Sequence, residues 1–232
     1  MLVAHGSADP RAAAATRALA RAAGAHPSYL DHAGPRPGEV LAGLAAEGHD
    51  RITVVPLLLT AAYHNRVDIP AAVDGVDATV AVADVLGPVG GLVPGALLAG
   101  LHRRLAETGA RYDAVVLAAA GTRDRAALST VERSALALGA RLGVPGAAAY
   151  ASASPPTAGD AVALLRARGY RRVAVAAYFL ASGRLYDAAR GSALDAGAVA
   201  VAEPLTDAPE LVRLVRDRVA TARVRRPVAV AA

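Results

Sequence analysis

The sequence predicts an α/β protein of two similar lobes, each a parallel sheet with helices on both faces, related by internal duplication. Three observations predict it. Strand-like and helix-like segments alternate along all 232 residues, the pattern of parallel strands joined by crossover helices. Three blocks of sequence recur in the same order in the two halves, the mark of a repeated unit. Hydrophobic residues make up 54% of the chain but aromatic ones only 3%, so the core must be built from Val, Leu and Ala on closely approaching layers.

The run Leu2 to His5 reads as the first strand, ending in a Gly6-Ser7 turn that opens a helix over Arg11 to Ala25, rich in helix-favouring alanine. A second strand ends near Leu30, ahead of Asp31-His32-Ala33-Gly34-Pro35. Gly48 stops a helix, and the apolar run from Arg51 to Leu59 is the third strand. Ala78 to Val82 closes this sheet and Val93 to Glu107 forms its last helix. The lobe boundary falls near Gly109, giving an N-terminal lobe 1–109 and a C-terminal lobe 110–232.

The second lobe repeats the series. Leu117 to Ala120 and the Gly121-Thr122 turn match Leu2 to Ser7, which sets Ala120 against His5. The next helix carries Leu128, Val131, Ala135, Leu138 and Leu142 on one stripe at helical period. Tyr150 to Pro155 is set against Leu30 to Pro35, and Gly169 to Leu180 against Gly48 to Leu59. Val199 to Ala202 and Pro209 to Ala222 supply the last strand and helix. Right-handed crossovers then place the strand-to-helix loops at the carboxyl edge of each sheet, where open α/β sheets bind ligands.

Composition excludes several function classes. The longest apolar runs, such as Val54 to Ala62, fall short of the roughly 20 residues that span a bilayer. Met1 to His5 enter a strand with no basic start or cleavage site, so a cytoplasmic protein with no membrane association is expected. With no cysteine, neither disulfides, thiolate metal ligands nor a Cys nucleophile are available. The net charge of +5 rests on arginine alone, scattered and without interleaved aromatics, so no nucleic-acid partner is expected. A positive cleft does suit a polycarboxylate small molecule. No Gly-x-Gly-x-x-Gly or Gly-x-x-x-x-Gly-Lys run is present, which argues against a nucleotide site. Ser7 lacks the Gly-x-Ser-x-Gly elbow of a serine hydrolase.

His5 ends the first strand and His64 follows the third, so both belong to the carboxyl edge of one sheet and their imidazoles can converge. The Gly6-Ser7 backbone ahead of a helix offers N–H groups to an anionic oxygen, although the tight turn alone also accounts for the glycine. His26, His49 and His102 read as surface or loop residues, whereas His32 follows Asp31 near the end of the second strand.

Three segments resemble the class II chelatases of the sirohydrochlorin cobaltochelatase or ferrochelatase type. They are Val3-Ala4-His5-Gly6-Ser7-Ala8-Asp9-Pro10, Pro56 to Pro70 with its His64-Asn65-Arg66-Val67-Asp68-Ile69-Pro70, and Tyr178 to Asp187. The resemblance spans nearly the whole chain and implies chelatase-like, flavodoxin-like three-layer lobes. It implies ATP-independent insertion of a divalent metal, Fe²⁺, Co²⁺ or Ni²⁺, into sirohydrochlorin or a close tetrapyrrole relative, in siroheme or cobalamin biosynthesis. The metal is then a substrate, and no permanently bound cofactor is expected. His5 and His64 are implied as metal ligands and catalytic groups, assisted by Asp31 where the family more often has Glu. Ala8 stands where the family usually has Arg, while the second repeat keeps Arg123. That repeat has Ala120 and Leu185 at the histidine positions, so it is expected to be silent and to form the opposite wall of the cleft.

The chemistry agrees with the residue inventory. Two neutral imidazoles bind such metals while leaving coordination positions open, so the metal can be handed on. A histidine titrating near neutrality can take a pyrrole proton, with Asp31 orienting it. Gly6, Ser7, Arg11, Asn65 and Arg66 are candidate donors to the macrocycle's carboxylates. The same histidines also suit a different metalloenzyme, which would want a third protein ligand, or a non-catalytic tetrapyrrole or metal carrier. The chain is expected as a monomer or a homodimer.

Overall fold

The computed structural model describes residues 1–60 and 78–224. The first half contributes β1 (Leu2–Ala4), α1 (Pro10–Ala23), β2 (Pro27–Tyr29), α2 (Pro37–Ala46), β3 (Arg51–Pro56), β4 (Thr79–Val82) and α3 (Gly95–Glu107). The second contributes β5 (Ala114–Ala119), α4 (Arg125–Leu142), β6 (Gly146–Tyr150), α5 (Ala158–Ala167), β7 (Val173–Tyr178), α6 (Arg184–Asp195), β8 (Ala200–Val201) and α7 (Pro209–Val224). They form two separate four-stranded sheets, ordered β2-β1-β3-β4 and β6-β5-β7-β8. Every strand pair is parallel. The expected duplicated pair of α/β lobes is therefore the observed fold.

Local signals fix the element ends. Asp9 caps α1, accepting from the Arg11 amide, and Gly24 ends the helix in the left-handed conformation. Asp124 and Gly143 do the same for α4. The helix thus starts at Pro10, three residues after the Gly6-Ser7 turn expected to open it. β3 stops at Pro56, short of the expected Leu59, although the Leu57 amide still donates to Val3 O at 2.8 Å.

Both faces of each sheet are covered. Val3, Ile52 and Val54 of the first sheet pack on Leu41 and Leu44 of α2. Val116 and Val175 of the second pack on Val162 and Leu165 of α5 and Ala189 and Ala193 of α6. The inner faces share a single core, in which Leu2, Val55, Leu117 and Ala176 meet Leu101, Leu105, Leu211 and Leu214. Here the packing crosses the midpoint of the chain. α3, which ends the first repeat, packs on β7 and α4 of the second; α7 returns to pack on β3, β4 and α1 of the first.

The structure corrects the register of one repeated block. Tyr29 and Tyr150 each donate an amide to a proline carbonyl, Pro35 and Pro156, at 3.0 and 2.9 Å. The Asp31 amide donates to His5 O as the Ser152 amide donates to Ala120 O. Next in line, His32 and Ala153 both take positive φ, 59° and 64°. Leu30 therefore matches Ala151, and the counterpart of Asp31 is Ser152 rather than Ala151.

Candidate functional site

The carboxyl ends of β1 and β3 face those of β5 and β7 across a cleft of about 340 Å³. Its walls are largely apolar: Leu57, Leu58 and Leu59 follow β3, and Phe179 and Leu180 follow β7. His5 and Gly6 enter it from the first lobe, Ala120, Gly121 and Thr122 from the second. The repeat thus places one imidazole at a position where its counterpart has only the methyl group of Ala120. A larger groove of about 450 Å³ lies at the opposite, amino edge of the first sheet, lined by residues such as His26, Arg51 and Arg216. That edge lacks the strand-to-helix loops that build α/β ligand sites.

His5 is exposed at the end of β1, and its ring meets that of His32 edge to face, with centroids 6.4 Å apart. The chain reaches this arrangement through Gly6. With φ of 94°, Gly6 lets the Asp31 carbonyl approach to 1.8 Å of where a Cβ would stand, so only glycine fits. The second repeat reproduces the contact at Gly121 and Ser152, at 1.9 Å. Gly6 is thus required by close backbone approach, whatever else its N–H does.

Asp31 is exposed. One carboxylate oxygen accepts the His32 amide at 2.8 Å, and the other lies 3.5 Å from His32 Nε2. The His32 amide and the nearby His32, Arg36 and His5 hold this carboxyl below the ordinary carboxylate range. Asp31 is therefore an anion at neutral pH, suited to orienting or stabilising a charged imidazole rather than to accepting a proton.

The remaining candidates separate. Ser7 Oγ accepts the Asp9 amide at 3.1 Å. Arg11 is engaged by carboxylates of both lobes, with Nη2 2.7 Å from Asp9 and 2.6 Å from Asp187. Neither Ser7, Arg11 nor Asp31 lines the cleft itself, although all stand beside His5 in the sequence or the fold. His64, Asn65 and Arg66 lie outside the described residues. Among the described residues no group of three or more His, Asp or Glu side chains is placed to hold a metal ion. No described helix is long and apolar enough to cross a membrane.

His32 and Tyr178 are the site residues to which the sequence assigned no role. His32 has a signal, its neighbour Asp31. Tyr178 opens the third chelatase-like segment, but it reads there as the last residue of an apolar strand. Its buried hydroxyl donates to the Leu59 carbonyl at 3.1 Å, and burial pushes its pKa up to about 12.

Two duplicated parallel sheets meeting at a cleft of their carboxyl edges, with histidine on one side alone, define a two-lobed α/β class of ligand-binding protein. The chain belongs to the CbiX family, whose model matches residues 1–104 and again 114–222. No curated protein matches it. It is similar in fold to SirB from Bacillus subtilis with Fe³⁺, at 20% identity over 96% of this chain and 94% of that one, with a TM-score of 0.82. The sirohydrochlorin chelatase SirB from Bacillus subtilis subspecies spizizenii, in complex with cobalt, gives a TM-score of 0.75 at 20% identity over the same shares, 96% and 94%. CbiX, the terminal enzyme for biosynthesis of siroheme in denitrifying bacteria, gives 0.64 at 19% identity over 95% and 97%.

Proposed function

We propose that this protein inserts a divalent metal, Fe²⁺ or Co²⁺, into sirohydrochlorin or a close tetrapyrrole relative, without ATP. The observation that carries the reading is His5, an imidazole that lines a largely apolar cleft between two lobes. Membership of the CbiX family and likeness in fold to a sirohydrochlorin chelatase in complex with cobalt support it. Apolar walls formed by Leu57 to Leu59 and by Phe179 and Leu180 suit the faces of a macrocycle.

In this reading His5 receives the metal through a neutral imidazole nitrogen, and His64 is its proposed partner. Two protein ligands leave the remaining positions to water and then to pyrrole nitrogens, so transfer is a stepwise exchange of ligands. Two pyrrole protons must leave as the metal enters. Histidine is the group that can take one near neutral pH. Asp31, held ionised beside His32 and His5, stabilises the imidazolium that results. Gly6, Ser7, Asn65 and Arg66 are proposed donors to the peripheral carboxylates, with Arg11 available on release from Asp187.

Anaerobic incubation with sirohydrochlorin and each divalent metal, followed by visible spectroscopy, tests the proposal. Catalytic turnover above the background rate without protein is the expected outcome. Stoichiometric binding with no turnover would instead identify a carrier.

A further inference from the structure

We propose that Tyr178, supplied by the lobe without the cleft histidine, is a positioning residue that holds the first lobe's wall of the cleft by fixing the Leu59 carbonyl. This rests on the metal-insertion reading only for its catalytic consequence; the hold itself is a matter of geometry. Tyr178 ends β7 and, with Leu59, lines the cleft that His5 enters. Its phenol oxygen lies 3.1 Å from the Leu59 carbonyl oxygen and 3.5 Å from Ser134 Oγ. Ser134 already donates its own proton to Thr130 O at 2.8 Å, so the phenol proton belongs to Leu59.

Gly87 leaves the space into which the same carbonyl fits. A Cβ on Gly87 would stand 1.7 Å from Leu59 O and 3.2 Å from the Tyr178 hydroxyl. Gly87 is held in turn by Arg218 of α7, whose Nη2 donates to its carbonyl at 2.8 Å. The Leu59 carbonyl is therefore fixed by a tyrosine hydroxyl in a space that only a glycine leaves open, and that glycine is held by a helix that returns from the second repeat.

The repeat supplies the control. Leu57 occupies the place of Tyr178 in the first lobe and has no hydroxyl to offer. The amides of Leu86 and Leu205 make matching bonds to Leu58 O and Phe179 O, so Thr206 is the counterpart of Gly87. Both halves of the clamp, the Tyr178 phenol and the missing side chain of Gly87, thus converge on Leu59 of the histidine-bearing lobe, and the matching positions, Leu57 and Thr206, supply neither. A purely structural tie between pseudo-symmetric lobes has no reason to be so one-sided. A device that steadies the histidine-bearing lobe's wall against a bound macrocycle does, because misplacement of a substrate by about 1 Å is enough to cost a large factor in rate.

Tyr178→Phe removes the hydroxyl and keeps the ring. The expected result is amide hydrogen exchange about tenfold faster, confined to Leu57 to Thr60. The rate at saturating tetrapyrrole should fall about tenfold with the Michaelis constant changed less than about twofold. Ser134→Ala, which deletes the phenol's other neighbour and does not line the cleft, should lower thermal stability and leave both kinetic constants alone. Unchanged exchange at Leu57 to Thr60 would overturn the clamp. An active wild-type protein with an equally active Tyr178→Phe variant would overturn its catalytic role. A wild type that exchanges as expected but inserts no metal would overturn the metal-insertion reading and leave the clamp standing.

Discussion

His5 and Tyr178 show how differently two residues at one cleft can be tested. His5 is exposed and its backbone position is matched in the second repeat by Ala120, which forms the same strand end without strain. His5→Ala should therefore lower the rate of metal insertion by about 100-fold or more, the scale of a lost acid-base or ligand group. Stability should change by less than about 0.5 kcal/mol, as for surface substitutions generally. A variant that unfolds, or one that inserts metal at the wild-type rate, would contradict this. Tyr178 answers to pH instead. Its pKa rises from 10.0 in the unfolded chain to about 12 in the fold, so the folded state binds the phenolic proton more tightly. The sign follows: stability is undiminished below pH 10 and falls as pH rises from 10 towards 12, by roughly 1.4 kcal/mol per pH unit at most. Tyr186, likewise pushed up to about 12, adds a similar slope, so denaturant unfolding between pH 9 and 11.5 should show a fall that Tyr178→Phe lessens without abolishing; an equal slope in both proteins would assign it to other groups.

Elements were more legible in the sequence than their partners. The strand and helix order was readable because Gly48, Gly169 and the Leu128 to Leu142 stripe are local signals, with positive φ at both glycines, 89° and 99°. What the sequence withheld is non-local. A stripe such as Leu97, Leu101 and Leu105 shows that α3 buries one face, but not that the face lies on β7 of the other repeat. The one-residue slip at Asp31 has a related cause: in alanine-rich sequence, neighbouring alignments score alike. The approach of Asp31 O to Gly6 and of Ser152 O to Gly121, with the matching backbone hydrogen bonds, settles which is right. The α3 to α7 crossing also carries charge. Arg103 Nε lies 3.1 Å from both carboxylate oxygens of Glu210, with both side chains less than a third exposed, at 32% and 23%. Arg103 further pairs with Glu107 and Arg104 with Asp207. Glu210→Ala strips a partner from a largely buried guanidinium and should cost about 1–2 kcal/mol, more than an exposed ion pair yields. Urea unfolding measures it; a loss under about 0.3 kcal/mol would mean that Glu107 alone satisfies Arg103.

For the molecule as a whole, exchange of the closing helices decides what each half of the sequence can do alone. The family model matches the two halves separately, 1–104 and 114–222, and the sequence divides most naturally near Gly109. Yet a fragment 1–109 would keep α3 without β7 and α4, and would lose α7 from the faces of β3, β4 and α1. Leu2, Val55 and Leu57, now 6% exposed or less, would face solvent across one side of the sheet. Each such side chain contributes about 1.5–3 kcal/mol when buried, and whole domains retain only about 5–15 kcal/mol of net stability. Uncovering several at once is therefore enough to abolish folding as a monomer. The fragment can bury that face only against a second copy, each lending α3 to the other's sheet as the two repeats do here. Size-exclusion chromatography and thermal melting of residues 1–109 should accordingly show a dimer or an unfolded, aggregating chain, with stability that rises with protein concentration if a dimer forms. A monomeric fragment that melts cooperatively at a concentration-independent temperature would show that α7 covers the first sheet without being needed to hold it together.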